Sequence, residues 1–208
     1  PSKSVQGAYP PGSTFKMVTA LAALEGGVVT PDETVRCTGH TEVGGRRFHC
    51  WKRSGHGNVN LVGSLRQSCD VYYYEMAQRA GIEKIADMGR RLGLGEDYGL
   101  PLPGMSSGLM PDKQWKRNKR GADWVIGDSL NASIGQGFVL TTPMQLAVMT
   151  ARLATGRAIT PRLVKTIDGI EQPILDAGPL DINENMLRAV RTGMYEVSNN
   201  SRGTGYRS

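Results

Sequence analysis

The residue pair with the clearest chemical potential is Ser13 and Lys16, at the start of an apolar run. Pro10, Pro11 and Gly12 end whatever element precedes them, so Ser13 stands where a helix would begin. At this spacing Lys16 lies on the same helical face, and its amine can reach the Ser13 hydroxyl. A serine hydroxyl is a weak nucleophile until a base takes its proton, and half-burial shifts an amine toward its neutral, basic form. The pair therefore predicts nucleophilic acyl-transfer chemistry.

A second polar triplet, Ser68-x-Asp70, follows about fifty residues later. Taken alone, Ser13 is equally well explained as a helix cap with Lys16 extending to solvent. Ser68 alone is a loop serine, and Asp70 alone is the N-cap of a helix that starts at Val71. In serine acyl transfer, however, a second serine assists proton movement and the third residue of its triplet orients the bound amide. The order and separation of the two motifs favour catalysis.

Four longer segments carry a resemblance to a known family. They are PPGSTFK, WKRSGHGNVNLVGSLRQSCDVYYYEMA, NASIGQGFVLTTPMQLA and RTGMYEVSNN, and together they extend over almost the whole chain. In these segments the sequence resembles the transpeptidase domain of class B penicillin-binding proteins of bacterial cell elongation, the penicillin-binding protein 2 family. The resemblance implies a peptidoglycan D,D-transpeptidase that works through an acyl-serine and is acylated by β-lactams.

The resemblance also implies a role for each catalytic candidate. Ser13 attacks the penultimate D-alanine carbonyl of a donor stem peptide while Lys16 takes the proton. Ser68 relays a proton to the leaving D-alanine, and Asp70 helps to hold the peptide backbone. The implied partners are peptidoglycan stem peptides, β-lactam antibiotics, a membrane-embedded glycan polymerase and other elongation-complex proteins. The implied location is the periplasmic face of the inner membrane, with an anchor outside this chain.

One motif of that family is not found in the sequence. Its members carry a Lys-Ser/Thr-Gly strand that supplies an oxyanion-hole amide and a lysine for the substrate carboxylate. The segment 202–205 aligns with a Gly-Thr turn that precedes this motif in relatives, and we expect a loop there. The strands that precede the Ser13 helix in relatives are missing too. We therefore expect residues 1–208 to be a partial transpeptidase domain that acylates slowly or not at all.

The coarse pattern predicts an α+β fold, here mainly the helical part of a penicillin-binding/β-lactamase-like domain. Helices are predicted over 13–25, 60–67, 71–79, 82–92, 143–155 and 185–197. The clearest is 143–155, because Thr142 to Gln145 is a capping box with proline at the first helical position. A hairpin is predicted around Asp168-Gly169, short extended pieces at 34–35 and 46–48, and long loops over 95–137 with one helical turn near Lys113.

Three cysteines and a histidine form the second informative pattern. Cys37, Cys50, His56 and Cys69 do not have the paired Cys-x-x-Cys spacing of common zinc sites. The bare pattern leaves two alternatives open, which are a metal site and one disulfide with a free buried thiol. Resemblance favours the metal, because some relatives bind zinc through carboxylate, histidine and thiol ligands at corresponding positions. The expected site is then a structural Cys₃His zinc centre.

The other two histidines are secondary candidates. His49 is the alternative zinc ligand because it adjoins Cys50, whereas His40 is expected in a surface loop. No organic cofactor is expected.

Composition sets outer limits on function. A chain of 208 residues with 39% hydrophobic residues and a net charge of +6 fits one globular domain. A basic cluster surrounds Trp115, but no nucleic-acid motif accompanies it, so nucleic acid is not an expected partner. Within the same fold the alternative function is a β-lactamase or β-lactam sensor, although no water-activating residue is identified. The alternative from another class is a non-catalytic, zinc-stabilised module that binds the cell wall.

Overall fold

Helices dominate the computed structural model, which describes residues 2–173 and 177–207. A single 3₁₀ turn, Gly12–Phe15, leads directly into the first of eight α-helices in these ranges. The helices are α1 (Lys16–Glu25), α2 (Leu61–Arg66), α3 (Asp70–Ala80), α4 (Ile82–Arg91), α5 (Lys113–Arg120), α6 (Ile126–Ser133), α7 (Pro143–Thr155) and α8 (Glu184–Asn199).

The described strands are short and form three separate antiparallel pairs. β1 (Val35–Cys37) pairs with β4 (Gly57–Val59), and β2 (His40–Val43) pairs with β3 (Arg46–His49). The third pair is β5 (Thr166–Ile167) with β6 (Ile170–Glu171), which is the hairpin predicted around Asp168-Gly169. The chain therefore has the predicted α+β character, with helices supplying most of the described core.

The central element is α1, which packs against α3, α4 and α8. Its residues from Val18 to Leu24 are all buried, as expected for a helix that is apolar on every side. α8 also packs closely against α2. Gly193 of α8 permits this approach, since a Cβ there would lie only 2.5 Å from Leu65 Cδ1. The helix that carries Lys16 is therefore enclosed by packing on several sides.

Most of the helix predictions are confirmed, with boundaries that differ by up to three residues. α7 has the predicted bounds, with the reciprocal Thr142 and Gln145 capping bonds. The predicted helix over 13–25 instead begins as a 3₁₀ turn, and α3 begins at Asp70, one residue earlier than expected. The predicted turn near Lys113 is the full helix α5, capped by Asp112.

The long-loop prediction for 95–137 is wrong over one segment, α6. Asp128 caps the start of this helix by accepting from the backbone N–H of Val125, and the Trp124 indole donates to Ser129 Oγ. Its inner face buries Ser129, Leu130, Ala132 and Ser133, which is too small and polar a set to show an apolar period in the sequence. None of the described helices is long and apolar enough to cross a membrane.

Candidate active site and metal centre

Ser13 is held by a close contact between two glycine-containing segments. Gly12 has a φ of +60°, and its backbone N–H donates a 2.9 Å bond to the Gly135 carbonyl. A Cβ at Gly135 would lie only 2.2 Å from Gly12 O, and Gly135 itself has a φ of +70°. No other residue fits this approach without a backbone shift. The turn at Gly135 therefore fixes the backbone position of the serine.

Lys16 is buried more deeply than the sequence indicated, at 1% exposure. Its amine donates to three acceptors, which are Asp70 Oδ1 at 2.7 Å, Ser68 Oγ at 2.9 Å and the Ser68 carbonyl at 2.9 Å. It also lies 5.7 Å from the centre of the Tyr73 ring. The ammonium group thus has a complete set of partners in the interior.

Ser68 is the bridge between Lys16 and Ser13. Its hydroxyl donates a 3.0 Å bond to Ser13 Oγ and accepts the bond from Lys16. The direct contact of Lys16 with Ser13 that the sequence suggested is replaced by this two-step connection. Ser68 has a φ of +52°, a left-handed conformation that costs a non-glycine residue about 1–2 kcal/mol. Donors to its carbonyl from Lys16 and from the indole of Trp51 favour that conformation.

Asp70 is committed to contacts inside the protein. One carboxylate oxygen pairs with Lys16, and the other accepts the backbone N–H of Trp51 at 2.9 Å. The alternative role of Asp70 as a simple N-cap is wrong, because Cys69 holds the cap position and Asp70 is the first residue of α3. Its side chain joins the serine–lysine group to the segment before β4.

A cavity of about 800 Å³ opens above Ser13 and Ser68. The lining residues that the sequence analysis did not identify include Trp51, Gln136 and Thr204. Trp51 is 58% exposed, yet its indole N–H donates to the carbonyls of Gln67 and Ser68. An exposed tryptophan held by hydrogen bonds beside Ser13 presents a fixed ring to the cavity. Only its position within the resembling segment could have indicated it.

A smaller cavity of about 280 Å³ meets the first one at three shared residues, Ser13, Ser68 and Thr204. Its remaining walls are mostly apolar and come from Met17, Leu65, Met194 and Val197. Thr204 lies in the turn segment that the sequence predicted as a loop, and its backbone N–H donates to the Arg66 carbonyl. The nucleophile therefore faces two spaces of different character.

The four predicted metal ligands form one cluster beside this site. The ligand atoms of Cys37, Cys50, His56 and Cys69 all lie within 4.8 Å of one another. The three cysteines are buried free thiols, so the disulfide alternative is not adopted. His56 Nδ1 lies 3.6 Å from Cys37 Sγ and 3.5 Å from Cys50 Sγ, while its Nε2 is buried without a partner among the described residues.

The thiols of this cluster do not behave alike. The pKa of Cys50 lies well below its usual value because the Cys69 S–H donates to the Cys50 sulfur. The same contact, with burial, raises the pKa of Cys69. One thiolate is therefore favoured in the cluster even before any cation is considered.

The two remaining histidines lie outside the cluster. His49 lines the large cavity instead, and its pKa is lowered by loss of hydration and by the charge of Arg53, so it is mainly neutral near pH 7. The prediction of a loop position for His40 is wrong, because it belongs to β2 and pairs with His49 in register. His40 and His49 have ring centres 6.0 Å apart.

The family model described as the penicillin binding protein transpeptidase domain matches residues 2–208 of this chain. The chain belongs to this family. A curated relative, the peptidoglycan D,D-transpeptidase MrdA of Haemophilus influenzae, is 35% identical over 215 residues, covering 98% of this chain and 33% of the relative. The chain thus spans about a third of the length of the curated relatives that it matches.

Solved structures of similar proteins agree with this assignment. Penicillin-binding protein PBP2 of Helicobacter pylori, solved in a complex with MreC, has a TM-score of 0.88 and 39% identity, covering 98% of this chain and 38% of that one. PBP2 of Pseudomonas aeruginosa, solved with WCK 5153, has a TM-score of 0.88 and 38% identity, covering 99% and 49% respectively. The fold of this chain is therefore that of the penicillin-binding protein transpeptidase domains.

Proposed function

We propose that this chain carries the catalytic serine of a peptidoglycan D,D-transpeptidase of cell elongation, which is acylated by β-lactams. The observation that supports it most directly is the hydrogen-bonded line from Lys16 Nζ through Ser68 Oγ to Ser13 Oγ, with separations of 2.9 and 3.0 Å. Nucleophile, relay and base therefore lie within proton-transfer distance at the floor of an open cavity. The names of the similar proteins point to the same reaction.

The acylation step uses the serine pair and the lysine. Ser13 Oγ attacks the penultimate D-alanine carbonyl of a donor peptide and passes its proton to Ser68 Oγ, which passes its own to Lys16. Lys16 accepts it in the neutral form, when a lone pair replaces the N–H that now points at Ser68. Collapse of the tetrahedral intermediate breaks the amide bond, and the leaving D-alanine amine takes the proton back through Ser68. The product is an acyl ester on Ser13.

The transfer step runs the same relay with an acceptor amine. Its nitrogen attacks the ester carbonyl, the new amide bond forms, and the C–O bond to Ser13 breaks. The amine proton returns to Ser13 Oγ through the relay. We propose that Asp70 acts here as a positioning residue, because both of its oxygens are occupied by Lys16 and by the Trp51 N–H.

We also propose a structural zinc ion held by Cys37, Cys50, His56 and Cys69. A tetrahedral centre with Zn–S near 2.3 Å and Zn–N near 2.0–2.1 Å has S···N edges of about 3.6 Å. The 3.5 and 3.6 Å separations of His56 Nδ1 from two sulfurs match those edges. When bound, the metal would supply crosslinks to the segment between β1 and α2, whose interior has little apolar material.

The proposed setting is the periplasmic face of the inner membrane. The Helicobacter pylori relative was solved in a complex with MreC, and another similar structure belongs to a peptidoglycan synthase complex. By analogy, partners of elongation complexes and a membrane-embedded glycan polymerase are proposed for the complete protein. Peptidoglycan stem peptides are its proposed substrates.

A fluorescent penicillin tests the proposed reaction in the complete protein. We expect a stable covalent adduct, located at Ser13 by peptide mass spectrometry and absent from Ser13→Ala. The matched control is Ser4→Ala, because Ser4 is exposed and its described contact is through the backbone. Rapid release of an opened penicillin would favour the β-lactamase alternative, and the lack of any adduct would favour the non-catalytic module.

A further inference from the structure

A second cavity, of about 360 Å³, adjoins the active-site cavity along strand β3. The two cavities share His49 and Tyr74, which lie at the junction. All four residues of β3, Arg46 to His49, line the second cavity. Successive side chains of a strand point to opposite faces, so a cavity lined by four consecutive residues runs along the edge of the strand. Such a space suits an extended chain.

β3 has one strand partner in the part of the chain that the structure describes, which is β2. The opposite wall of the second cavity comes from α6, with Gly127, Asp128 and Asn131. Phe48 of β3 reaches across to the α6 wall. The tip of its ring would lie 3.4 Å from a Cβ built on Gly127. The result is an open trough with an aromatic floor that leads toward Ser13.

The charges along this trough are mostly positive. Within the described residues, neither Arg53 in the first cavity nor Arg46 in the second has an ion-pair partner. The carboxylate on the α6 wall, Asp128, is already paired with Lys116 at 2.6 Å and caps the α6 N-terminus. Asp70 is likewise paired with Lys16. The positive charges of Arg46 and Arg53 therefore remain available to an anionic ligand.

The cavity of about 280 Å³ also opens at Ser13, but most of its lining residues differ from those of the larger cavity. A transferase that passes an acyl group from one peptide to another can use separate approaches for the peptide that stays on the serine and the peptide that enters. Two cavities that meet at Ser13, Ser68 and Thr204 provide them. The larger cavity, which Arg53 lines, suits a peptide that carries free carboxylates, and the smaller one, with its mostly apolar walls, suits an apolar group.

We propose that the trough from Arg46 to Arg53 binds the acceptor peptide as an extended, carboxylate-bearing chain, and that Arg53 is the residue that recognises its carboxylate nearest to Ser13. This inference rests on the proposed transpeptidase function and deepens it. Arg53 lines the larger cavity together with Ser13, so a carboxylate bound by Arg53 would lie in the cavity that opens at the nucleophile. Arg46 lies beyond the His49–Tyr74 junction and meets a more distant carboxylate.

The test uses the complete protein with a donor peptide ending in D-Ala-D-Ala and two synthetic acceptor peptides. One acceptor has its free carboxylate, and the other has that carboxylate converted to an amide. Cross-linked and hydrolysed products are measured by mass spectrometry, with penicillin acylation measured separately. We expect Arg53→Gln to raise the acceptor KM about tenfold, the loss expected for a charge-assisted hydrogen bond, and to change the penicillin acylation rate by less than about twofold.

The decisive comparison is between the two acceptors. Amidation should raise KM about tenfold in the unmodified protein and have little further effect in Arg53→Gln, because both changes remove the same contact. Arg53→Lys should recover part of the effect. The control is Arg188→Gln, which removes an exposed arginine of α8 that lines none of these cavities.

Three outcomes would overturn the proposal. An equal effect of amidation in the unmodified protein and in Arg53→Gln would show that Arg53 does not meet the carboxylate. An equal loss of penicillin acylation in Arg53→Gln would place the residue in the donor step. Failure of the unmodified protein to form any penicillin adduct would remove the proposed function and this inference together.

Discussion

The backbone N–H of Trp51 donates a 2.9 Å hydrogen bond to Asp70, whose other carboxylate oxygen holds the amine of Lys16. The Asp70 side chain thereby connects Trp51, which follows Cys50 in the sequence, to Lys16. Cys69, another member of the thiol cluster, directly precedes Asp70. The cluster of predicted metal ligands and the Ser68-x-Asp70 motif therefore share one short piece of backbone.

The buried Lys16–Asp70 pair gives the first prediction. The two side chains are 1% and 13% exposed, so removing either charge leaves the other unpaired in the interior. We expect Lys16→Met or Asp70→Asn to lower the free energy of unfolding by about 3–5 kcal/mol and to abolish penicillin acylation. The double variant should recover much of the stability but none of the activity. Denaturant unfolding and acylation assays check this, and equal stability of the three variants and the unmodified protein would contradict it.

The Trp51 indole gives the second prediction. Trp51→Phe keeps an aromatic ring and the backbone bond to Asp70 but removes the donor to the carbonyls of Gln67 and Ser68. The lost bond is worth about 0.5–1.5 kcal/mol, so we expect acylation to slow by up to about tenfold. Trp124→Phe is the matched control, since it removes one indole donor, to Ser129, away from the nucleophile. Similar acylation rates for the two variants would exclude a positioning role for Trp51.

The Gly135 turn gives the third prediction. In Gly135→Ala the alanine has a positive φ, and its Cβ also collides with Gly12 O. In Gly121→Ala the alanine has a φ of +62°, but no atom lies within 4 Å of its Cβ. Gly121→Ala should cost about 1–2 kcal/mol and leave acylation unchanged. Gly135→Ala should cost more and also reduce the acylation rate, because the serine backbone must move. Thermal unfolding and penicillin acylation, measured on both variants, separate the two effects.

The proposed zinc ion gives the fourth prediction. Chelation should lower the melting temperature and slow acylation without any change at Ser13, and Cys37→Ser should reproduce both effects. Metal analysis of protein purified without added zinc should give close to one equivalent per chain. A content below about a tenth of an equivalent would rule out a structural site of this kind. Arg188→Gln is again the control. In this variant chelation should change the melting temperature and the acylation rate as much as it does in the unmodified protein.

Local signals in the sequence were sufficient for much of the fold and for the composition of the site. The capping box at Thr142 predicted α7, and the two motifs Ser13-x-x-Lys16 and Ser68-x-Asp70 contain the residues that the hydrogen bonds of Lys16 and Ser68 connect. The connection through Ser68 could not be read from spacing, because it depends on a left-handed backbone at that residue. Two lining residues, Trp51 and Gln136, reach the cavity only through tertiary packing and have no pattern of their own.

The contact between Gly12 and Gly135 has a consequence for the time at which the active site can form. About 120 residues of chain separate the two glycines, so the serine's backbone anchor is synthesised long after the serine itself. During synthesis, a nascent chain that ends before Gly135 lacks the carbonyl that accepts the Gly12 N–H, so this anchor of the turn cannot form. The order of synthesis thus delays the assembly of a competent nucleophile until most of the helical layer is available to surround it.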